Sequence, residues 1–341
     1  MSRNTVPPNP TLDAATTHGA SAATITHGRF DTPTATITHA ASGSATPTAK
    51  PAARAISLGR DLLELTKPRI TTMAVISVAA GYYVGARGPI VFLPATRVLL
   101  AATLLASGAS ALNQWFEAET DRLMARTANR PLPQGRLVPT PALLFGLVLA
   151  ASGVALMYAA GGPLAASIGL ITVLLYVGCY TPLKRVTPLC TVIGAVPGAL
   201  PPLMGWAAGA GDLSAEAWLL FAILFLWQMP HFLAIAWMYR DDYARAGQPM
   251  LPVVEPSGGS TARQAVLYAA ALLPTSLLPT LLGVAGEPYF AIALTLGLFL
   301  LTATLVFASR RETNDARRLL HVSVIYLPLL LGALVLTRQS F

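Results

Sequence analysis

Nine apolar runs, each near the roughly 20 residues that a helix needs to cross a bilayer, divide this chain from residue 61 onward. They fall at 70–86, 98–116, 142–160, 164–180, 189–208, 217–238, 265–284, 289–308 and 322–336. Only 11% of the residues are charged and 54% are hydrophobic, whereas a soluble domain carries about a quarter charged residues. The expectation is an all-α, polytopic transmembrane helical bundle of about nine spans. The run at 189–208 contains Pro197, Pro201 and Pro202. Each proline removes a backbone donor, which predicts a bent or broken helix whose freed carbonyls find partners in neighbouring protein or water.

Orientation follows from the basic residues. The flank before the first run (Arg54, Arg60, Lys67, Arg69) and four alternate loops hold 17 of the 23 lysines and arginines. The opposite loops and C-terminus hold three, Arg87, Arg97 and Arg338. This bias predicts a cytoplasmic N-terminus and active-site loops, with the C-terminus outside. The bacterial cytoplasmic (inner) membrane is the expected location, a mitochondrial inner membrane the alternative. A net charge of +8 is accounted for by the membrane and implies no nucleic acid. Cys179 and Cys190 read as small buried hydrophobes without a role. Residues 1–55 differ from the rest: rich in Ala, Thr, Ser and Pro, they repeat Ala-Thr-Ile-Thr-His at 23–27 and 35–39. They read as a low-complexity disordered tail, ahead of a single membrane domain at 56–341.

The densest chemistry lies where the second run ends: Asn113-Gln114-Trp115-Phe116-Glu117-Ala118-Glu119-Thr120-Asp121, then Arg126-Thr127-Ala128-Asn129-Arg130-Pro131. On a helix Asn113, Glu117 and Asp121 share a face, drifting about 40° per step. Three oxygen-bearing side chains there suit a hard divalent cation such as Mg2+, which normally also takes phosphate oxygens. Arg126 and Arg130 stand ready for the rest of a polyanion. A polar helix end emerging into water would account for Glu119 and Asp121. It accounts poorly for Asn113 and Glu117, which flank Trp115 and Phe116 near membrane depth, where ionisable groups are costly and usually functional. Metal plus diphosphate at a membrane surface points to chemistry on an isoprenoid diphosphate.

Asp241 and Asp242 form a second acidic pair after the sixth run. Alone they would be ordinary solvated surface; on the same membrane side as the first cluster they suggest a second cation on one diphosphate. His231, in Trp227-Gln228-Met229-Pro230-His231-Phe232, is one imidazole inside an apolar run. It reads as a hydrogen-bonded packing histidine or as an intramembrane functional group, imidazole being also a haem-iron ligand. Trp227, Phe232 and Trp237 are either lipid-facing or the walls of a flat apolar cavity. Lys67 and Arg69, and the pair Lys184 and Arg185, are topology anchors or diphosphate ligands at the same membrane face.

Taken together these motifs resemble the UbiA superfamily of intramembrane prenyltransferases, in particular its haem-farnesylating branch, over about residues 60–337. Asn113-x-x-x-Glu117-x-x-x-Asp121 is similar to the superfamily's first metal–diphosphate motif. The stretches Arg126-Thr127-x-x-Arg130-Pro131-Leu132, Tyr180-Thr181-Pro182-Leu183-Lys184-Arg185, Trp227-Gln228-x-Pro230-His231-Phe232 and Asp241-Asp242-Tyr243 onward to Pro252 resemble the haem branch. Tyr239 and Tyr243 stand where the wider superfamily's second motif has aspartates. The resemblance implies a UbiA-like fold and transfer of farnesyl from farnesyl diphosphate to the 2-vinyl group of haem B, giving haem O. It implies Mg2+ on Asn113, Glu117 and Asp121 with Asp241 or Asp242 opposite, and Lys67, Arg69, Arg126, Arg130, Lys184 and Arg185 on the diphosphate. It also implies His231, Trp227 and Phe232 beside haem, which is substrate rather than cofactor, and a haem A synthase downstream. His231 or an acid of the second loop is the base expected for the final water addition. A quinone-type or chlorophyll-type acceptor and, from another class, a multi-span transporter are the rivals. Transport sites sit at the midplane between repeats, whereas these ionisable residues gather at one face.

Overall fold

The computed structural model describes residues 51–339, and these are helical nearly throughout. The expected tail lies outside the described residues except for 51–55, which open α1 (Pro51–Leu65). Then follow α2 (Pro68–Gly85), α3 (Phe92–Asp121), α4 (Pro139–Leu174), a π-helical stretch (Leu175–Tyr180) and the short α5 (Thr181–Leu183). The rest of the bundle is α6 (Cys190–Ala210), α7 (Ala215–Met238), α8 (Arg240–Arg245), α9 (Leu251–Val254), α10 (Gly259–Leu281), α11 (Glu287–Arg310) and α12 (Thr313–Leu336). Seven of these segments are long and apolar enough to cross a membrane.

The segment from Pro139 to Leu183 holds two of the expected spans. Gly162 breaks it with a left-handed φ of 82°, just before Pro163. A Cβ on Gly153 would lie 2.7 Å from Leu105, and one on Gly169 2.8 Å from the same Leu105. Sixteen residues of straight helix span about 24 Å, so both ends can reach one leucine only if the chain reverses at Gly162. That restores the two runs 142–160 and 164–180. With α2, 18 residues long, nine helical runs result.

Of the two outcomes expected for the proline-rich run, a break does not occur. Cys190–Ala210 is one unbroken helix despite Pro197, Pro201 and Pro202. It is the most enclosed of the seven long apolar segments, and neighbouring protein holds it: Gln228 Nε2 donates to the Ala195 carbonyl at 2.7 Å. Along α2 it packs backbone to backbone, so that a methyl on Gly81 would overlap the Pro202 carbonyl and one on Gly205 the Val78 carbonyl. Small residues permit that approach in apolar surroundings.

A separate small core sits at one end of the bundle. Leu65 of α1 packs with Ala111, Leu132, Leu137 and Ala142, while Arg136 reaches Asp61 at 2.8 Å. These contacts tie α1 and the 122–138 loop over the end of α3, and so place Arg130.

Candidate active site

Asn113, Glu117 and Asp121 do lie on one face of α3, and all three are buried. Each meets one cation from a different segment. Lys67 Nζ donates to Asn113 Oδ1 at 2.6 Å, Lys184 Nζ to Glu117 Oε1 at 2.7 Å, and Arg130 Nη1 to Asp121 Oδ2 at 2.6 Å. Lys67 does so from a left-handed backbone conformation, φ 47° and ψ 65°. For a lysine this is strained, and such strain concentrates at functional sites.

Three cations surround two carboxylates, so the buried cluster carries surplus positive charge. Lys67 registers it: burial first, then the Arg130 charge, push its ammonium down to about 7. Lys184 goes the other way. Burial opposes its charge, but Tyr180, Glu117 and Tyr176, together with the Glu117 hydrogen bond, hold it well above the ordinary lysine value. A site of this kind is completed by an anion.

Asn113 is oriented by a residue that spacing alone did not single out. Its Nδ2 donates to Thr181 Oγ1 at 3.1 Å, and Thr181 Oγ1 donates to the Tyr176 carbonyl at 2.7 Å. That carbonyl belongs to the π-helical stretch, whose wide turn frees backbone groups and often marks functional sites. The sequence signal for Thr181 was its place in Tyr180-Thr181-Pro182, not any chemistry of its own. The opposite oxygen of Asp121, Oδ1, is buried without a partner.

Among the described residues no three His, Cys, Asp or Glu side chains converge as a ready-made metal cage. The oxygen set nevertheless fits a divalent cation shared with a ligand. Asn113, Glu117 and Asp121 present hard oxygen donors on one face, and Asp121 Oδ1 is left to be satisfied.

The second loop joins the first in a different way from facing carboxylates. Asp241 is exposed, while Asp242 is buried and paired with Arg245 inside α8. Contact runs instead through Arg126, whose guanidinium lies 5.2 Å from the Tyr239 ring centre and 5.8 Å from that of Tyr243, with 3.5 Å to the Tyr243 hydroxyl. Tyr239 and Tyr243, the positions that depart from the aspartate pattern, are therefore what the first loop touches. Arg69 is exposed in the first turn of α2. Arg185 is exposed as well; it lies over Phe116 at 5.4 Å and donates to the Phe116 carbonyl, outside the buried cluster.

On α7, Trp227 and His231 stack at 5.2 Å, and Phe232 meets His231 edge-on at 5.6 Å. All three rings are partly buried, while Trp237 is buried and packs on Phe307. Trp237 is thus core rather than lipid-facing.

The UbiA prenyltransferase family matches residues 74–326 of this chain. The chain belongs to that family. The "Protoheme IX farnesyltransferase" of Solibacter usitatus (strain Ellin6076) is 49% identical over 290 residues, covering 82% of this chain and 99% of that protein. Among UbiA-fold structures, one described with digeranylgeranylglyceryl phosphate synthase superposes with a TM-score of 0.70 at 20% identity, covering 83% of this chain and 98% of the other. A UbiA homolog from Archaeoglobus fulgidus bound to GPP and Mg2+ superposes with a TM-score of 0.58 at 15% identity, over 80% and 99% of the two chains. Family membership makes this chain an integral-membrane prenyltransferase with the UbiA fold and removes the transporter reading.

Proposed function

We propose that this UbiA-family enzyme transfers a farnesyl group from farnesyl diphosphate to the 2-vinyl group of haem B, with addition of water, to give haem O. The observation that carries this reading is the matching of Asn113, Glu117 and Asp121, one by one, with Lys67, Lys184 and Arg130. It is a cluster with surplus positive charge, suited to a diphosphate. The relative named for protohaem farnesylation, aligned along 82% of the chain, selects the acceptor over a quinone or chlorophyll ring.

In this reading Asn113, Glu117 and Asp121 hold Mg2+, with Asp241 or Asp242 contributing once diphosphate draws the second loop in. A divalent cation there neutralises charge on the departing diphosphate. The UbiA homolog bound to GPP and Mg2+ supports the same metal here. Lys67, Lys184 and Arg130 exchange their carboxylate and amide partners for phosphate oxygens, and Arg126, held over Tyr239 and Tyr243, closes on the same group. Arg69 and Arg185 supply longer-range attraction at the mouth. The allylic cation is attacked by the vinyl π-bond within apolar walls, and water adds to the haem-side cation afterwards. Trp227, His231 and Phe232 flank the macrocycle. The clustered end faces the cytoplasm of a bacterial cell, and haem O passes onward to a haem A synthase.

Purified protein given farnesyl diphosphate, Mg2+ and haem B should form a product with the mass of haem O. Turnover with a quinone-type acceptor and none with haem B would overturn the reading.

A further inference from the structure

Behind the Trp227–His231 stack, where α12 meets α7, lies Ser323, a residue to which the mechanism gives no role. Trp227 and His231, one helical turn apart, both reach a single residue of α12. Trp227 Nε1 donates to the Ser323 carbonyl at 2.8 Å, and His231 Nδ1 lies 2.8 Å from Ser323 Oγ. Ser323 is completely buried. Its hydroxyl also lies 2.7 Å from the Leu320 carbonyl, and a hydroxyl has one proton.

Two proton arrangements are open. If Ser323 donates to His231 Nδ1, two oxygens face each other at 2.7 Å with no proton between them. The histidine then carries its proton on Nε2. If Ser323 donates to Leu320, it accepts from His231 Nδ1–H, both protons are satisfied, and Nε2 keeps a free lone pair. Only the second arrangement puts a proton into both short contacts of the buried hydroxyl, so it prevails.

We propose that Ser323 is a positioning residue: it holds His231 as the Nδ1–H tautomer, stacked on Trp227, so that Nε2 is presented as an axial ligand to the iron of an incoming haem. This rests on haem B being the substrate. Metal-bound histidines commonly donate their other N–H to an oxygen partner, which fixes the ring and raises its basicity, and loss of that partner typically costs 10–100-fold in affinity. The isolated position of Ser323 in the apolar run 322–336 gave no sign of this role. The structure supplies it by bringing two α7 rings to one α12 residue.

The test is titration of the purified full-length protein with haem B, read by optical absorption, and by the iron–histidine stretch of the ferrous form in resonance Raman. Wild type should show histidine ligation and His231→Ala should lose it. Ser323→Ala should bind haem about 10-fold or more weakly with a lowered iron–histidine frequency, and Ser323→Thr should restore the frequency. A residue that only fills space would lower thermal stability without moving that frequency. If His231→Ala abolishes ligation while Ser323→Ala leaves both affinity and frequency unchanged, the proposal fails and the haem reading stands. If wild type binds no haem, both fall. If it binds and farnesylates haem with the same spectrum in His231→Ala, only the axial role is wrong.

Discussion

Glu117 and Asp121, both buried, each give a carboxylate to a partly buried cation, which makes the metal question answerable by isosteric change. Glu117→Gln and Asp121→Asn keep a hydrogen-bond acceptor for Lys184 and Arg130 but remove the charge that a divalent cation needs. Turnover should fall roughly 100-fold or more, with folding preserved in size-exclusion profiles, and EDTA should do the same to wild type. Either neutral variant working at the wild-type rate would exclude this face as the metal site. Lys67 makes a second, pH-dependent case. Its ammonium in the free protein titrates at about 7, and a bound diphosphate raises that value by attraction. Above pH 7, binding must therefore take up a proton, so affinity for farnesyl diphosphate should fall as pH rises, by up to about tenfold per unit. In Lys67→Arg the charge is permanent and the profile should be flatter. Calorimetric titration between pH 7 and 8.5 compares the two, and parallel profiles would remove Lys67 from the diphosphate site.

At the scale of elements, α2 and α6 meet backbone to backbone along their seam. Gly81 has the Pro202 carbonyl where a methyl would go, and overpacking of this kind costs about 1–3 kcal/mol. Gly81→Ala should lower the thermal midpoint in detergent by several degrees. Gly332→Ala in α12, where nothing lies within 4 Å of the added methyl, should leave it unchanged or slightly raised. Equal midpoints for the two variants would mean that the seam is looser than described. The same seam bears on Lys67, which stands at the start of α2 and depends on that helix being pressed into place. The reversal at Gly162 is the other element-level device. Its positive φ suits glycine, and it divides one long helical segment into two crossings.

For the whole molecule, the distribution of basic residues and the location of the ionic cluster together predict that the reactive end faces the cytoplasm. Single cysteines at Gln134 and Ser257, both exposed, should react with impermeant thiol reagents only from the cytoplasmic side. One at Glu287, also exposed, should react only from outside. The background must lack Cys179, which is exposed, and Cys190, which is buried. Labelling of the Gln134 and Glu287 positions from the same side would contradict an odd number of crossings between them. Hydrophobic periods and charge placement are local properties, so the sequence alone determined the helical membrane class, the approximate runs, and the shared face of Asn113, Glu117 and Asp121 on one continuous helix. It left a bend or a break open at Cys190–Ala210, which is unbroken, because whether prolines break a helix depends on the neighbours that enclose it. Nor could it pair Lys67, Lys184 and Arg130 with their partners, turn Arg126 to Tyr239 and Tyr243, or bring Ser323 to His231. Those residues are 46, 67, 9, 117 and 92 positions apart. Contacts between segments come only from how the helices stack, and in a membrane that stacking rests on shape and hydrogen bonding, which hydropathy does not encode.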